Sequence, residues 1–266
     1  MPAAELSRLQ AQISAISTQF LQPKRFLRSL FTLLDLYADQ NFRPGQHSRV
    51  EHLMPVYRLP EVVMGRIGKS LSQLTLQNPI PALTIMDELK QDKHFEAQFL
   101  AAGMLGFLPP DFKQQVWEHL QTWIRPEEDE MLIEAILRSA QHFFTAHDLE
   151  SWLKQIQRWL ETGDIRFKKI GLRGLKMLVE DVRFDQFEKT FALLTPFFLH
   201  PVLSLQRDTL EVTKSFINRS EMETSAFMLS ILQRTEDAAS LRLIRRAISL
   251  FSTDVQERLH KAIPVF

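Results

Sequence analysis

The sequence predicts an all-α protein in which antiparallel helix pairs stack into a right-handed superhelix, and three observations support this fold class. The 266 residues include only eight glycines, and the 13 prolines lie mostly between apolar segments, as in long helices joined by short turns. There is no Asn-Gly or Asp-Gly hairpin turn. Four helix pairs begin near residues 110, 148, 184 and 221, which are 38, 36 and 37 residues apart. Periods of this length are typical of helical solenoids.

Apolar residues at steps of three and four predict the individual helices. They are expected over 3–21, 24–40, 50–58, 60–77, 80–91, 94–107, 110–125, 127–145, 148–162, 165–180, 184–195, 202–218, 221–234, 238–251 and 254–263. A surface loop is expected over 41–49. We expect one domain over 1–266, with less regular N-terminal helices over 1–78, repeats over 79–252 and a C-terminal capping helix over 253–266.

The stretch 148–162 has the clearest helical pattern. Its large apolar residues share one face, and they are Leu149, Trp152, Leu153, Ile156, Trp159 and Leu160. Asp148 precedes this helix as an N-cap and Gly163 follows it. Capping-box spacing for two later helices occurs at Ser220 with Glu223 and at Thr253 with Gln256. The helix boundaries are thus indicated by their capping residues.

The second helix of each of these four pairs, and the helix 94–107 before them, carries a shared pattern of a large apolar anchor, a small residue four positions later and an apolar residue directly after it. The anchors are Phe99, Met131, Phe167, Leu205 and Leu243, the small residues Gly103, Ala135, Gly171, Thr209 and Ala247, and the following residues Met104, Ile136, Leu172, Leu210 and Ile248. We expect the anchors to face the core. A small residue lets a neighbouring helix approach closely, so Gly103 and Gly171 are interpreted as packing requirements.

These paired helices, with their apolar-small-apolar second member, resemble HEAT-type repeats over about 94–252. The resemblance implies an armadillo-like α-solenoid, a class of proteins that serve mainly as binding surfaces.

If the anchors face the core, the residues one before and two, six and nine after each anchor form the opposite face. On the predicted helices 94–107 and 127–145 this face is apolar to acidic. It consists of Gln98, Ala101, Leu105 and Leu108 on the first helix, and of Glu130, Ile133, Leu137 and Ala140, beside Glu134, on the second. On the next three second helices, 165–180, 202–218 and 238–251, the face becomes basic. It consists of Arg166, Lys169, Arg173 and Lys176, of Arg207, Glu211 and Lys214, and of Arg242 and Arg245, respectively. These basic residues are the candidate partner-binding or phosphate-binding residues.

The basic character is concentrated in one window, because residues 165–179 contain five basic residues and no acidic one. One interpretation is a phosphate-binding surface. The other is a solvated helix face balanced by the acidic run Glu127 to Glu130, and the sequence favours this second reading because exposed helices commonly carry charge.

Part of the sequence is similar to bacterial DNA alkylation repair proteins built from HEAT-like repeats. The similar parts are the turn that contains the acidic run Glu127 to Glu130, the segment Trp159 to Lys169 and the helix pair that follows. That resemblance implies a DNA glycosylase that holds duplex DNA on a concave basic surface. Matched by repeat position, the catalytic carboxylate falls at Glu134, or alternatively Glu130, and a DNA-facing basic residue at Lys169.

Composition excludes several functions. With no cysteine, the chain has no disulfide, thiolate metal site or cysteine nucleophile, and a cytoplasmic location is expected. The 32 Lys and Arg balance the 32 Asp and Glu, so any affinity for nucleic acid must come from a local patch. We expect no signal peptide, because Met1 to Arg8 lack a basic stretch followed by an apolar one. We expect no membrane span, because the uncharged run Thr190 to Gln206 is short and is broken by Pro196 and Pro201.

No familiar enzyme motif is present, including a phosphate loop, a nucleophile elbow and a dinucleotide fingerprint. The cluster His142, His147 and Asp148 lacks zinc-hydrolase spacing, so no metal or other cofactor is expected. The four tryptophans, Trp117, Trp123, Trp152 and Trp159, could form stacking platforms for bases, but core packing is favoured because Trp152 and Trp159 share the apolar face of their helix. The sequence favours a non-catalytic scaffold for a macromolecular partner, preferably a protein. The alternative is a DNA-binding protein related to the repair glycosylases, with Glu134 as its carboxylate.

Overall fold

A computed structural model describes residues 3–38 and 54–263 of the chain, and within those residues it is all-helical with no strand, which confirms the all-α class. The helices are α1 (Ala3–Ser17), α2 (Pro23–Tyr37), α3 (Glu61–Gln77), α4 (Pro79–Gln91), α5 (Phe95–Leu105), α6 (Lys113–Trp123), α7 (Glu130–His147), α8 (Leu149–Glu161), α9 (Ile165–Glu180), α10 (Phe187–Leu199), α11 (Gln206–Arg219), α12 (Glu221–Leu232), α13 (Ala238–Ile248) and α14 (Thr253–Lys261). Short 3-10 turns precede α6 and α11. No helix in the described residues is long and apolar enough to cross a bilayer.

The chain divides into two compact units, Met1–His147 and Asp148–Phe266. In unit 1, α1, α3, α5 and α7 pack side by side in that order, and α2 packs on α4 beside them. His119 of α6 lies 2.9 Å from a carboxylate oxygen of Asp87 in α4, which ties α6 to the same row. Each helix thus packs against the helix two positions along the chain as well as a sequence neighbour.

Unit 2 has the same alternating arrangement. Helices α9, α11 and α13 pack side by side, and α10, α12 and α14 form a second row against them. Helix α8 packs on α9. Buried apolar side chains between the two rows form the core of the unit, among them Trp152, Leu175, Phe198 and Phe216.

Capping side chains fix several helix starts, two of them as predicted. The Asp148 carboxylate accepts the Ser151 amide at 3.1 Å, and the Ser220 hydroxyl accepts the Glu223 amide at 3.4 Å. The predicted Thr253 cap is wrong, because α14 begins at Thr253 and its N-cap is Ser252, whose hydroxyl is 3.0 Å from Glu221 instead.

Gly171 is a packing requirement, as predicted, whereas Gly103 is not. A Cβ atom on Gly171 would lie 2.8 Å from a Leu160 methyl group, so the glycine allows α8 and α9 to approach. A Cβ atom on Gly103 would meet nothing within 4 Å. In unit 1 the close approach occurs at Gly106, where a Cβ atom would lie 2.7 Å from the Ser139 carbonyl oxygen.

The expectation that the anchors face the core is correct in only part of the chain. Leu205 and Leu243 are buried, but Phe167 is half-buried and Phe99 and Met131 are exposed. Apolar residues cover most of the circumference of α5 and much of α7, so periodicity alone does not identify the face that packs.

The helix predicted over 50–58 is wrong where the structure describes it, because residues 54–60 form no helix; residues 50–53 and the predicted loop 41–49 lie outside the described residues. Instead, the buried Glu96 carboxylate accepts the amides of Tyr57 at 2.9 Å and Arg58 at 2.7 Å. Arg58 has a φ of 58°, in the left-handed region. The Tyr57 ring stacks on His94 with a centroid distance of 4.0 Å.

The Tyr57 phenol provides a spectroscopic test of this arrangement. Burial, and then the negative charges of Asp92, Asp35 and Glu96, raise its pKa to about 12. Because the folded state favours the neutral phenol, the resulting stability is present below about pH 10 and is lost as the pH rises through about 12.

The chain has two tyrosines, so Tyr37→Phe leaves Tyr57 as the only phenol. We expect its phenolate absorbance to appear with a midpoint near pH 12 in the folded protein, and near pH 10 in urea. A midpoint near pH 10 without denaturant would contradict the burial of Tyr57.

Candidate functional site

The eight basic residues predicted to bind a partner or phosphate all lie in unit 2, and none of them is buried. They are Arg166, Lys169, Arg173 and Lys176 on α9, Arg207 and Lys214 on α11, and Arg242 and Arg245 on α13. On each helix they lie opposite the buried residues. Because α11 packs against both α9 and α13, the structure brings the three sets onto adjacent helices. We call this surface the basic face.

Acidic groups neutralise part of the basic face. The Lys176 ammonium lies 3.7 Å from Glu211 and 3.9 Å from Glu180. The Arg166 guanidinium lies 3.0 Å from Asp164, and its hydrogen bonds lower the pKa of that carboxyl group. Acidic and basic residues of this surface therefore pair within one molecule.

Other cations of the basic face remain available for a partner. Five of them form no ion pair within 4 Å among the described residues, namely Lys169, Arg207, Lys214, Arg242 and Arg245. Several cations that form no such ion pair, on neighbouring helices, can contact successive anionic groups of one ligand.

A second candidate site is a groove of about 680 Å³ lined by α3, α5 and α7 of unit 1, which we call the α3–α5–α7 groove. Three large apolar side chains line it while remaining partly open to solvent, Phe99 at 37%, Phe107 at 38% and Met131 at 40% exposure. Two of these are predicted anchors, which therefore line a surface groove and not the core. Exposed large apolar groups gathered in one groove are typical of binding sites.

Of the four glycines that line the same groove, only Gly106 is required by packing. Gly65 and Gly68 of α3 and Gly103 of α5 line it, and a Cβ atom at any of the three would meet nothing within 4 Å. Glycine inside a helix costs about 0.5–1 kcal/mol relative to alanine. The three glycines therefore lower helix stability while leaving open space in the groove.

Glu134, the candidate catalytic carboxylate, also lines the α3–α5–α7 groove. Its Oε1 accepts a hydrogen bond from Arg138 at 2.7 Å, and both side chains are largely exposed. Glu130 is exposed at the first turn of α7. The turn before Glu134 has no aromatic residue, but the fold places Phe99 and Phe107 in the same groove. Sequence reasoning missed these neighbours because Phe99 was expected to face the core as an anchor, and no pattern in the sequence singled out Phe107.

The prediction that the face of α5 and α7 opposite the anchors lies away from the core is wrong for its apolar residues. Ala101, Leu105 and Leu108, and likewise Ile133, Leu137 and Ala140, are buried. Gln98 is half-buried and accepts a hydrogen bond from Lys90 at 2.7 Å. The error follows from the misplaced anchors, since the face opposite an exposed anchor is the core.

Three of the four tryptophans lie in the core as predicted, namely Trp123, Trp152 and Trp159. Trp117 is half-buried and packs on Phe144 with a centroid distance of 4.1 Å. In the part of the chain that the structure describes, no three His, Asp or Glu side chains are placed to hold a metal ion.

The fold and these two surfaces define an all-helical protein with an apolar groove and a basic face. Comparisons of the chain with protein-family models, with curated proteins and with solved structures gave no match.

Proposed function

We propose that this protein is a non-catalytic α-solenoid of the HEAT type that binds a protein partner in the α3–α5–α7 groove. The observation that carries the proposal is the groove itself, where exposed apolar side chains stand beside glycines that packing does not require. The alternating rows of helices in each unit support the solenoid, because stacked helix pairs bury their faces on one another. A cysteine-free chain is suited to a cytoplasmic location.

The occupant we propose is an amphipathic helix of the partner. Grooves between helices accept such helices through apolar side chains at positions i, i+3, i+4 and i+7. The lining charges balance, since Glu61 and Glu134 are matched by Lys69 and Arg138. The glycines leave room for large side chains of the partner, while Phe99 and Met131 supply apolar contact.

A displayed library of random peptides, selected against the full chain, tests this proposal. We expect selected peptides to carry helical apolar spacing and to lose at least about tenfold in affinity, or about 1.4 kcal/mol, with Phe99→Asp or Gly68→Phe. Lys214→Glu, on the basic face, is the matched control and should change little. Peptides that bind Phe99→Asp as well as the parent protein would exclude the groove as the docking surface.

The glycines make a separate prediction about stability. Because a Cβ atom fits without contact, Gly65→Ala combined with Gly68→Ala should raise the free energy of unfolding by about 1–2 kcal/mol. Urea denaturation measures this gain. Gly106→Ala is the matched comparison and should be destabilising, since its Cβ would collide with the Ser139 backbone. A loss of stability in the double variant would show that the glycines are needed by the fold.

A second candidate function is duplex DNA binding on the basic face, favoured by the five cations that have no ion pair among the described residues. Labelled duplexes with and without an alkylated or abasic site, titrated across a salt series, test it. Phosphate contacts predict a log-linear loss of affinity with salt and a shallower slope in Arg207→Glu with Arg245→Glu. If damaged DNA is preferred, base release that stops in Glu134→Gln would indicate a glycosylase. No binding at low salt would leave the protein-binding proposal.

A further inference from the structure

Unit 2 contains a groove of about 660 Å³ between α8 and α10, which the proposed protein binding does not use. We call it the α8–α10 groove. Its volume lies within the range of about 300–1,000 Å³ that is typical of small-molecule sites. One face of α8 and one face of α10 supply its walls, and Lys168 of α9 also lines it.

The floor of the α8–α10 groove is apolar. Leu153 and Leu160 of α8 and Phe197 of α10 line it at 6%, 5% and 7% exposure, and the exposed Pro196 also lines the groove. These side chains are anchored in the core and present a fixed apolar surface. Such a floor favours an alkyl or aryl group, since burial of apolar area contributes about 25 cal/mol per Å².

The rim of the groove has an excess of positive charge. Three lysines, Lys154, Lys168 and Lys189, line it with two glutamates, Glu150 and Glu161. The Lys189 ammonium lies 3.0 Å from Glu150, so these two charges satisfy each other. Glu161 accepts a hydrogen bond from the Gln157 amide at 2.7 Å.

The two remaining lysines carry the inference. Among the described residues, neither Lys154 nor Lys168 has an ion-pair partner within 4 Å. Both line the same groove, together with the imidazole of His200 at the end of α10. Ammonium groups form charge-assisted hydrogen bonds with carboxylate and phosphate oxygens, and these are stronger than hydrogen bonds between neutral groups.

We propose that the α8–α10 groove binds a small amphiphilic anion, an alkyl or aryl group that carries one carboxylate or phosphate. The apolar part lies on Leu153, Leu160 and Phe197, and the anionic head lies between Lys154 and Lys168. The ligand is taken up from solution and not from a bilayer, because the three apolar side chains that hold its alkyl or aryl group are buried in the floor of the groove.

Calorimetric titration of the full chain with decyl phosphate and with decyl glucoside, both kept below micelle formation, tests this proposal. We expect decyl phosphate to bind at least about tenfold more tightly than the neutral glucoside. Lys154→Gln with Lys168→Gln should remove that preference. Ala192 of α10 also lines the groove, and Ala192→Phe should abolish both binding events by filling it. Matched controls are Lys169→Gln with Lys214→Gln on the basic face and Phe99→Asp in the other groove, and both should bind decyl phosphate normally.

Equal affinity for the phosphate and the glucoside, or unchanged binding in the Lys154 and Lys168 variant, would overturn the proposal. A further arm uses phosphatidylglycerol vesicles. Vesicle binding without measurable binding of monomeric decyl phosphate would also overturn it, in favour of a membrane-surface role. None of these outcomes depends on the protein-binding groove, so the two proposals fail separately.

Discussion

Arg219→Met is expected to destabilise unit 2 by about 2–4 kcal/mol. Arg219 ends α11, and its guanidinium donates hydrogen bonds to the carbonyl oxygens of Val179 at 2.8 Å, of Asp181 and of Phe184 at 2.9 Å. The last carbonyls of α9 have no partner within their own helix, and a cation near a helix C-terminus is favourable. Hydrogen bonds to a charged group contribute about 1.5–3 kcal/mol each. We expect less than the sum of these contributions, because the Arg219 side chain is only half-buried. Methionine keeps the apolar stem and removes every donor.

Tryptophan fluorescence can report this loss specifically. In a Trp117→Phe, Trp123→Phe background, the remaining tryptophans, Trp152 and Trp159, lie in unit 2. Urea unfolding in that background should show the lower midpoint of Arg219→Met. Arg219→Lys should recover less than half of the loss, because one ammonium cannot reach three separated carbonyls with the geometry of a guanidinium.

Arg207→Met is the matched control, since Arg207 lies on the same helix and is exposed with no ion pair within 4 Å among the described residues. Its effect should stay within about 0.5 kcal/mol. A loss below about 1 kcal/mol for Arg219→Met would show that water replaces the guanidinium at these carbonyls.

The elements that sequence reasoning located well are those with a narrow apolar face and a local cap. Helix α8 is the example: its buried residues Trp152, Ile156 and Trp159 fall on one face, and Asp148 caps it through an amide three residues away. All of that information lies within fifteen residues, 148–162. The periodicity therefore predicted both its position and the face that packs.

Helix α10 illustrates why boundaries fail. The sequence predicts a helix over 184–195, which stops before Pro196, but α10 spans Phe187–Leu199 and includes Pro196. Phe197 and Phe198, directly after the proline, are buried in the core. Their burial contributes several times the roughly 1 kcal/mol of the missing backbone hydrogen bond, so tertiary packing extends the helix.

Of the two candidate sites, likewise, one could be predicted from the sequence and the other could not. The basic face could be predicted because charged residues on α9, α11 and α13 contrast with an apolar core. The α3–α5–α7 groove could not, because Phe99 and Leu100 are adjacent in an apolar helix and only the fold decides which one is buried. The hydrogen bonds of Arg219 could not be predicted from the sequence either, since their acceptors lie 35 to 40 positions earlier in the chain.

Glu96→Ala is expected to destabilise unit 1 by about 2–4 kcal/mol. The Glu96 side chain is buried and accepts the backbone amides of Tyr57 and Arg58. Removing both acceptors leaves two donors without a partner, at about 1–3 kcal/mol each, and part of this cost is recovered if the segment moves into solvent. The left-handed Arg58 would then lose the contact that holds its unfavourable φ.

Glu96→Gln separates hydrogen bonding from side-chain volume. An amide oxygen can replace one carboxylate oxygen, but the amide nitrogen presents hydrogens to the other backbone N–H, so only one of the two bonds is retained. We therefore expect Glu96→Gln to lower the free energy of unfolding, but by less than Glu96→Ala does. Glu88→Ala, at an exposed position of α4, is the control and should have little effect.

Hydrogen exchange and the Tyr57 titration together identify the mechanism of this loss. If Glu96 holds residues 54–60 against α5, the amides of Tyr57 and Arg58 should exchange much faster in Glu96→Ala, and the pKa of Tyr57 should fall from about 12 toward 10 as its ring becomes solvated. Removing the Glu96 charge alone would lower that pKa only slightly, because burial is its largest cause. Loss of stability with unchanged exchange at Tyr57 would instead place the effect of Glu96 within α5.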